Sequence, residues 1–215
     1  MAIDKVTTPA VTDDSITLAK MAPGTDGNII SYDASGNPVA VATGNDGQVL
    51  TSTGAGSPPA FETLPVGGIT MADQWRMTSN ITSNQSPITN VEQVDNTGQG
   101  TLGSAMSVNS GIFTFPQTGI YRVTFNAYGA TSGSDNVGLE LYVTTDNTNY
   151  TNTAQCYDGN DSSHSISMYC ETLVDVTDTS LVKVRFDIAS ITSATVYGST
   201  SLNNTVMTFI RLGDT

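Results

Sequence analysis

The sequence predicts an all-β protein, and three observations carry that expectation. From Ile69 to the C-terminus, short runs alternate with period 2, the pattern of half-buried strands. Clusters rich in Asn, Asp, Ser, Thr and Gly separate these runs, among them SNQSPITN, DNTGQG, SGSDN, TDNTNYTN and DGNDSS. No segment of that region carries a convincing helical period, which leaves a β-sandwich as the simplest architecture. An extended arm over residues 1–66 is expected to precede a sandwich head over residues 69–215.

The arm begins with an extended lead and one short helix. Asp13 or Asp14 caps it, Ile16, Leu18 and Ala19 supply its apolar side, and Pro23-Gly24 stops it. A repeat follows. Residues 24–41, GTDGNIISYDASGNPVAV, align with residues 44–61, GNDGQVLTSTGAGSPPAF, at a constant offset of 20. Asp26-Gly27 and Asp46-Gly47 are turn dipeptides, Ile29-Ile30 and Val49-Leu50 are short strands, and Gly36-x-Pro38 and Gly56-x-Pro58 are second turns. Modules with so little core are stable only when stacked on copies or on a partner. The alternative is a disordered Gly/Ser/Pro linker. Leu64-Pro65-Val66-Gly67-Gly68 is the expected hinge.

In the head, strands are expected near 69–78, 103–109, 111–115, 120–128, 137–145, 164–175, 181–189, 194–199 and 205–212. Val137, Leu139, Leu141 and Val143 share one face, as do Val182, Val184, Phe186 and Ile188. Along the last strand, Val206, Ile210 and Leu212 lie on one face and Met207 and Phe209 on the other. A strand apolar on both faces is covered on both, and a second subunit is the simplest second cover.

Charge narrows the function. Seven Lys+Arg against twenty Asp+Glu give a formal net charge of −13, and charged residues make up only 13% of the chain. That disfavours nucleic acid, whose binding needs clustered cations, and a polybasic membrane contact. No apolar run is long enough to span a membrane. MAIDKVTTPAVTDD lacks the apolar core of a secretory signal.

Little in the sequence suggests catalysis, and no catalytic, cofactor or metal residue is assigned. The single histidine, His164, reads as a solvated loop residue. Asp158, Asn160 and Asp161 form an ordinary turn, or at most a weak oxygen cage for calcium. Glu140 and Glu171 are isolated acids expected to face outward. Cys156 and Cys170, symmetric about Ser163, are either a disulfide across one hairpin or two free thiols. Trp75 reads as core or as a subunit contact. Tyr142, Tyr150, Tyr157, Tyr169 and Tyr197 stand beside polar loops, and Tyr150 and Tyr157 are the candidate glycan contacts.

Two stretches resemble known families. GNDGQVLTSTGAGSPPAF is similar to units recurrent in tail-fibre and other virion appendage proteins of tailed bacteriophages. Gly111, Phe113, Pro116, Gly119 and Tyr121 form G-x-F-x-x-P-x-x-G-x-Y, which resembles a signature of the tumour necrosis factor and complement globular-head superfamily, as does the closing TVMTFIRLGD. The second resemblance implies a ten-stranded jelly roll forming a homotrimer, with Tyr121, Phe125, Met207 and Phe209 near the three-fold axis. Together they imply a structural protein on a virion surface, a capsid decoration, head fibre or short tail fibre. Residues 1–66 would dock on a major capsid or tail protein. The alternative is an adhesin gripping host polysaccharide through the head loops. A capsule depolymerase and a secreted cytokine-like ligand are weaker options.

Overall fold

A computed structural model describes residues 24–64 and 68–215, and every regular element among them is a β-strand. The chain divides into two units, Met1–Gly67 and Gly68–Thr215. The helix expected before Pro23, and most of the expected hinge, lie outside the described residues.

In the first unit each repeat is a hairpin. Strand β1 (Ile29–Tyr32) pairs antiparallel with β2 (Pro38–Val41), and β3 (Gln48–Thr51) with β4 (Ala60–Thr63). The repeat is visible in the backbone. Gly27 and Gly47, offset by 20, have φ of 76° and 83°, and Gly36 and Gly56 have 79° and 82°. These are left-handed values that a side chain resists. The sequence had shown β1 and β3 only, because the return strands begin at or beside proline and look like turns. A Cβ on Gly44 would lie 2.6 Å from the Phe61 ring, so the close approach there requires glycine.

The second unit is a two-sheet sandwich. One sheet has the order β11 (Thr151–Asn160), β10 (Asp135–Thr144), β13 (Lys183–Ala189), β8 (Ile112–Thr114), β7 (Ser107–Asn109). The other has the order β12 (His164–Val176), β9 (Gly119–Thr131), β15 (Val206–Gly213), β5 (Met71–Met77), β6 (Val91–Gln93), and β14 (Ala194–Val196) also pairs with β9. The two sheets hold five and six strands, where ten were expected in all. Strand β11 is the notable omission from the sequence reading: TNTAQCYDGN is too polar to announce a strand.

Pro116 and Gly119 carry the chain from one sheet to the other, between β8 and β9. Tyr121 ties the corner by donating its hydroxyl to the Gln117 carbonyl at 2.9 Å. At Gly119, φ is 140° and a Cβ would lie 2.4 Å from the Gly213 carbonyl oxygen, so no other residue fits without distortion.

The core is aromatic. Phe113 packs on Phe186, Phe209 and Trp75 with ring centroids 5.3–5.5 Å apart, and Phe125 lies 5.1 Å from Phe186. Such contacts add about 0.5–1.5 kcal/mol each beyond area burial. Trp75 is held by this packing and by its indole N–H, which donates to Asp73 Oδ2 at 2.9 Å.

The placement of Tyr121, Phe125, Met207 and Phe209 at a three-fold axis needs correction. All four are 0% exposed within a single chain, between its own two sheets. Their alternation was read correctly but assigned to the wrong side. Strand parity sends these residues inward and leaves Arg122, Thr124 and Ile210 on the outer face, while Leu212 stands exposed at the register shift between Arg211 and Gly213.

Candidate functional site

Alternation builds a polar, aromatic cluster on the outer face of the five-stranded sheet. Along β10 and β13, Leu139, Leu141, Val184, Phe186 and Ile188 point into the core. Glu140 and Tyr142 therefore point out, opposite Asp187 and Arg185 in the β10–β13 register. Tyr157 on β11 lies opposite Gly138, where a Cβ would come within 2.4 Å of its ring. The missing side chain lets the ring lie flat against the strand.

The cluster is continuous. Tyr157 donates to Glu140 Oε1, and Tyr142 donates to Oε2 at 2.8 Å. The Arg185 guanidinium sits 4.5 Å from the Tyr142 ring centre and 5.0 Å from that of Tyr150. Arg185 also reaches Asp187 Oδ2 at 3.3 Å, the same oxygen that accepts from Ser86 Oγ at 2.6 Å. Tyr150 and Tyr157 thus stand at the two ends of one chain of contacts, with Tyr142, Glu140 and Arg185 between them.

The electrostatics follow from this geometry. Donation to the Glu140 carboxylate, aided by burial, pushes the Tyr157 hydroxyl up to about 12, and raises that of Tyr142 in the same way. Burial raises the Tyr150 hydroxyl, against the opposing pull of Arg185. Burial also raises Asp187, with Ser86 and Arg185 opposing it. Asp187 is only 3% exposed, so Glu140 alone of this cross-strand carboxylate pair reaches the surface. Arg185 Nε and Asp187 Oδ1 are buried without a hydrogen-bond partner among the described residues. Each such group costs about 1–3 kcal/mol, a cost more typical of a functional cluster than of one kept for stability.

Beside this cluster runs a groove of about 470 Å³ lined by Asn109, Ser110, Ile112, Thr114, Asn147, Tyr150 and Lys183.

The outer face of the six-stranded sheet differs. Arg122 Nε donates to Glu171 Oε2 at 2.8 Å and its Nη2 to the Tyr169 hydroxyl at 3.0 Å. Leu173 and Ile210 both pair with Arg122 in the ladders on either side of β9. Leu173 is 64% exposed and Ile210 half-buried, the Tyr169 ring is 49% exposed, and Leu212, at the end of β15, is 50% exposed.

Other expected residues fall elsewhere. His164 is not a free loop side chain. It opens β12, pairs in register with Thr131, meets Thr131 Oγ1 through Nδ1 at 2.9 Å and places Nε2 3.5 Å from Asp158. Among the described residues no three His, Cys, Asp or Glu gather closely enough to hold a metal ion. Cys156 and Cys170 are free thiols on strands of opposite sheets. Burial pushes the Cys170 thiol up to about 12.

Two buried aspartates were missed. Asp73 accepts from the backbone N–H of Gln74 and Met106, the side chains of Trp75 and Gln93 and the Thr101 hydroxyl, at 2.8–3.1 Å. Asp135 accepts from the backbone N–H of Asn136, Thr192 and Ser193 and from the Thr192 hydroxyl. Burial works to raise the Asp135 carboxyl, but the donated hydrogen bonds prevail and hold it at about 2. The available signal was parity: Asp73 shares the inward register of Met71 and Met77, and Asp135 that of Val137 and Leu139.

No family model matches the sequence, and no curated protein matches it. Solved structures do. One, the Eiger TNF of S. frugiperda, matches at 12% identity and a TM-score of 0.50, over 67% of this chain and 94% of that one. The second unit has a TNF-like jelly-roll fold. Murine APRIL, crystallised at pH 5.0, is also similar, at 12% identity and a TM-score of 0.49, over 66% of this chain and 98% of that one.

Proposed function

We propose that the chain is a homotrimeric structural protein of a bacteriophage virion surface. The head associates with two further copies through the outer face of the six-stranded sheet, and the repeat arm docks on a capsid or tail protein. The observation that carries the reading is the pair of uncovered apolar surfaces, one in each unit. In the head these are Leu173, Leu212 and Tyr169; in the arm they are Ile30, Tyr32 and Leu50, exposed on hairpins with almost no core. Burying such surface stabilises association by roughly 25 cal/mol per Å². The phage-like repeat and the sparsely charged composition favour a particle surface over a cytosolic setting.

Immunogold labelling with antibody against residues 69–215 tests the location. Label on the surface of phage particles is expected. Antigen confined to the soluble fraction, with bare particles, would contradict it.

The placement of Tyr150 and Tyr157 on one face favours a second reading, in which the head is an adhesin for host polysaccharide. Glycan-array binding that disappears when both tyrosines become Ala would support it.

A further inference from the structure

The groove beside Tyr150 has the composition of a small polar-ligand site, and this deepens the adhesin reading, on which it rests. Its volume of about 470 Å³ lies within the roughly 300–1,000 Å³ of small-molecule sites. Tyr150 supplies an aromatic surface whose ring is already held by Arg185, 5.0 Å from its centre. A held ring loses little entropy when a ligand settles on it. Asn147 supplies an amide that both donates and accepts, Asn109 an amide whose Oδ1 already accepts from Ser110 Oγ at 3.2 Å, Thr114 a hydroxyl and Lys183 an ammonium. Lys183 is only 9% exposed and donates to the Thr179 carbonyl at 2.6 Å. An ammonium carries three N–H donors, so this one has more to offer than that single bond.

The backbone points to the same place. Three non-glycine residues among those described have positive φ, and two of them, Ser110 at 50° and Asn147 at 57°, line this groove. Side chains kept in that region cost about 1–3 kcal/mol and cluster at ligand sites.

We propose that this groove binds a neutral pyranose unit of a polysaccharide, stacked on Tyr150 and hydrogen-bonded by Asn109, Asn147 and Lys183. Donors and acceptors lining one groove with an aromatic ring match a sugar ring that is apolar on its C–H face and hydroxylated at its rim. Acidic sugars fit less well. Asp146 precedes Asn147, Lys183 helps to lower the Asp178 carboxyl and so has an acidic neighbour, and the chain carries a net charge of −13. The groove therefore does not present an uncompensated cation.

Saturation-transfer NMR on the full chain tests the assignment, with D-glucose, D-galactose, D-mannose, N-acetyl-D-glucosamine and D-glucuronate as probes. At least one neutral sugar should take up saturation, and Tyr150→Ala should weaken its binding by about tenfold or more, or about 1.4 kcal/mol. Asn147→Gly keeps the left-handed backbone while removing the amide. It should weaken the same sugar with an unchanged melting temperature, and it decides the matter if Tyr150→Ala unfolds. Transfer to glucuronate alone overturns the neutral class. If Tyr157→Ala removes binding and Tyr150→Ala does not, this groove is wrong and the adhesin reading survives. If no sugar takes up saturation, both fall.

Discussion

The two outer faces of the head arise from the same strand alternation and end with opposite chemistry. On the five-stranded sheet, the outward tyrosines are tied down: Tyr157 and Tyr142 converge on Glu140, and Arg185 bridges Tyr142 to Tyr150. On the six-stranded sheet, one network joins Arg122, Tyr169 and Glu171, Leu173 stands uncovered beside it, and Leu212 is exposed at the end of β15. The first face is preorganised and polar, suited to a hydroxylated ligand. The second retains apolar area that water disfavours, which suits another protein surface. A single period-2 pattern thus specifies a core and two faces, and only the identity of the outward residues separates their chemistry.

The largest expected effect separates core from face. Phe125→Ala should lower stability by about 3–5 kcal/mol, read by urea unfolding at one protein concentration, while leaving the native mass unchanged. A change of mass without loss of stability would return Phe125 to a subunit contact.

Acid should act next, through Asp135. Its folded-state carboxyl, at about 2, lies below the ordinary 3.8, so the ionised form contributes stability that is fully present above about pH 4 and lost as pH falls toward 2. Thermal melts across that range should show the loss, and Asp135→Asn should flatten it. Gly119→Ala should cost about 2 kcal/mol through its positive φ and the crowding against the Gly213 carbonyl. Tyr157→Phe should be the mildest, at about 1 kcal/mol or less, because Glu140 keeps the Tyr142 donor.

Much of the fold could be read in the sequence, because burial imposes parity. The alternation of Val137, Leu139 and Leu141 and that of Val184, Phe186 and Ile188 each identify a strand and its inner face. The Pro116–Gly119 corner was legible because proline and glycine each do one thing well there. Parity alone does not say which of two apolar faces points inward, so Met207 and Phe209 were placed on the wrong side. Strand β11 was hidden by its polar residues, which are held by pairing with β10 rather than by their own pattern. The clustering of Tyr150 with Tyr157 was anticipated only as a pair of aromatics near loops. Their link through Glu140, Tyr142 and Arg185 depends on cross-strand register, which no single strand encodes. Asp73 and Asp135 could have been noticed as acids at inward positions, where burial requires several donors.

The native mass by light scattering, on the wild-type chain and on Leu173→Asp, tests the association face most directly. The wild type should weigh three times 22.4 kDa, and Leu173→Asp should fall to a single 22.4 kDa chain with its far-ultraviolet circular dichroism intact. A monomeric wild type, or a trimer indifferent to a charge at Leu173, would contradict association through the six-stranded sheet.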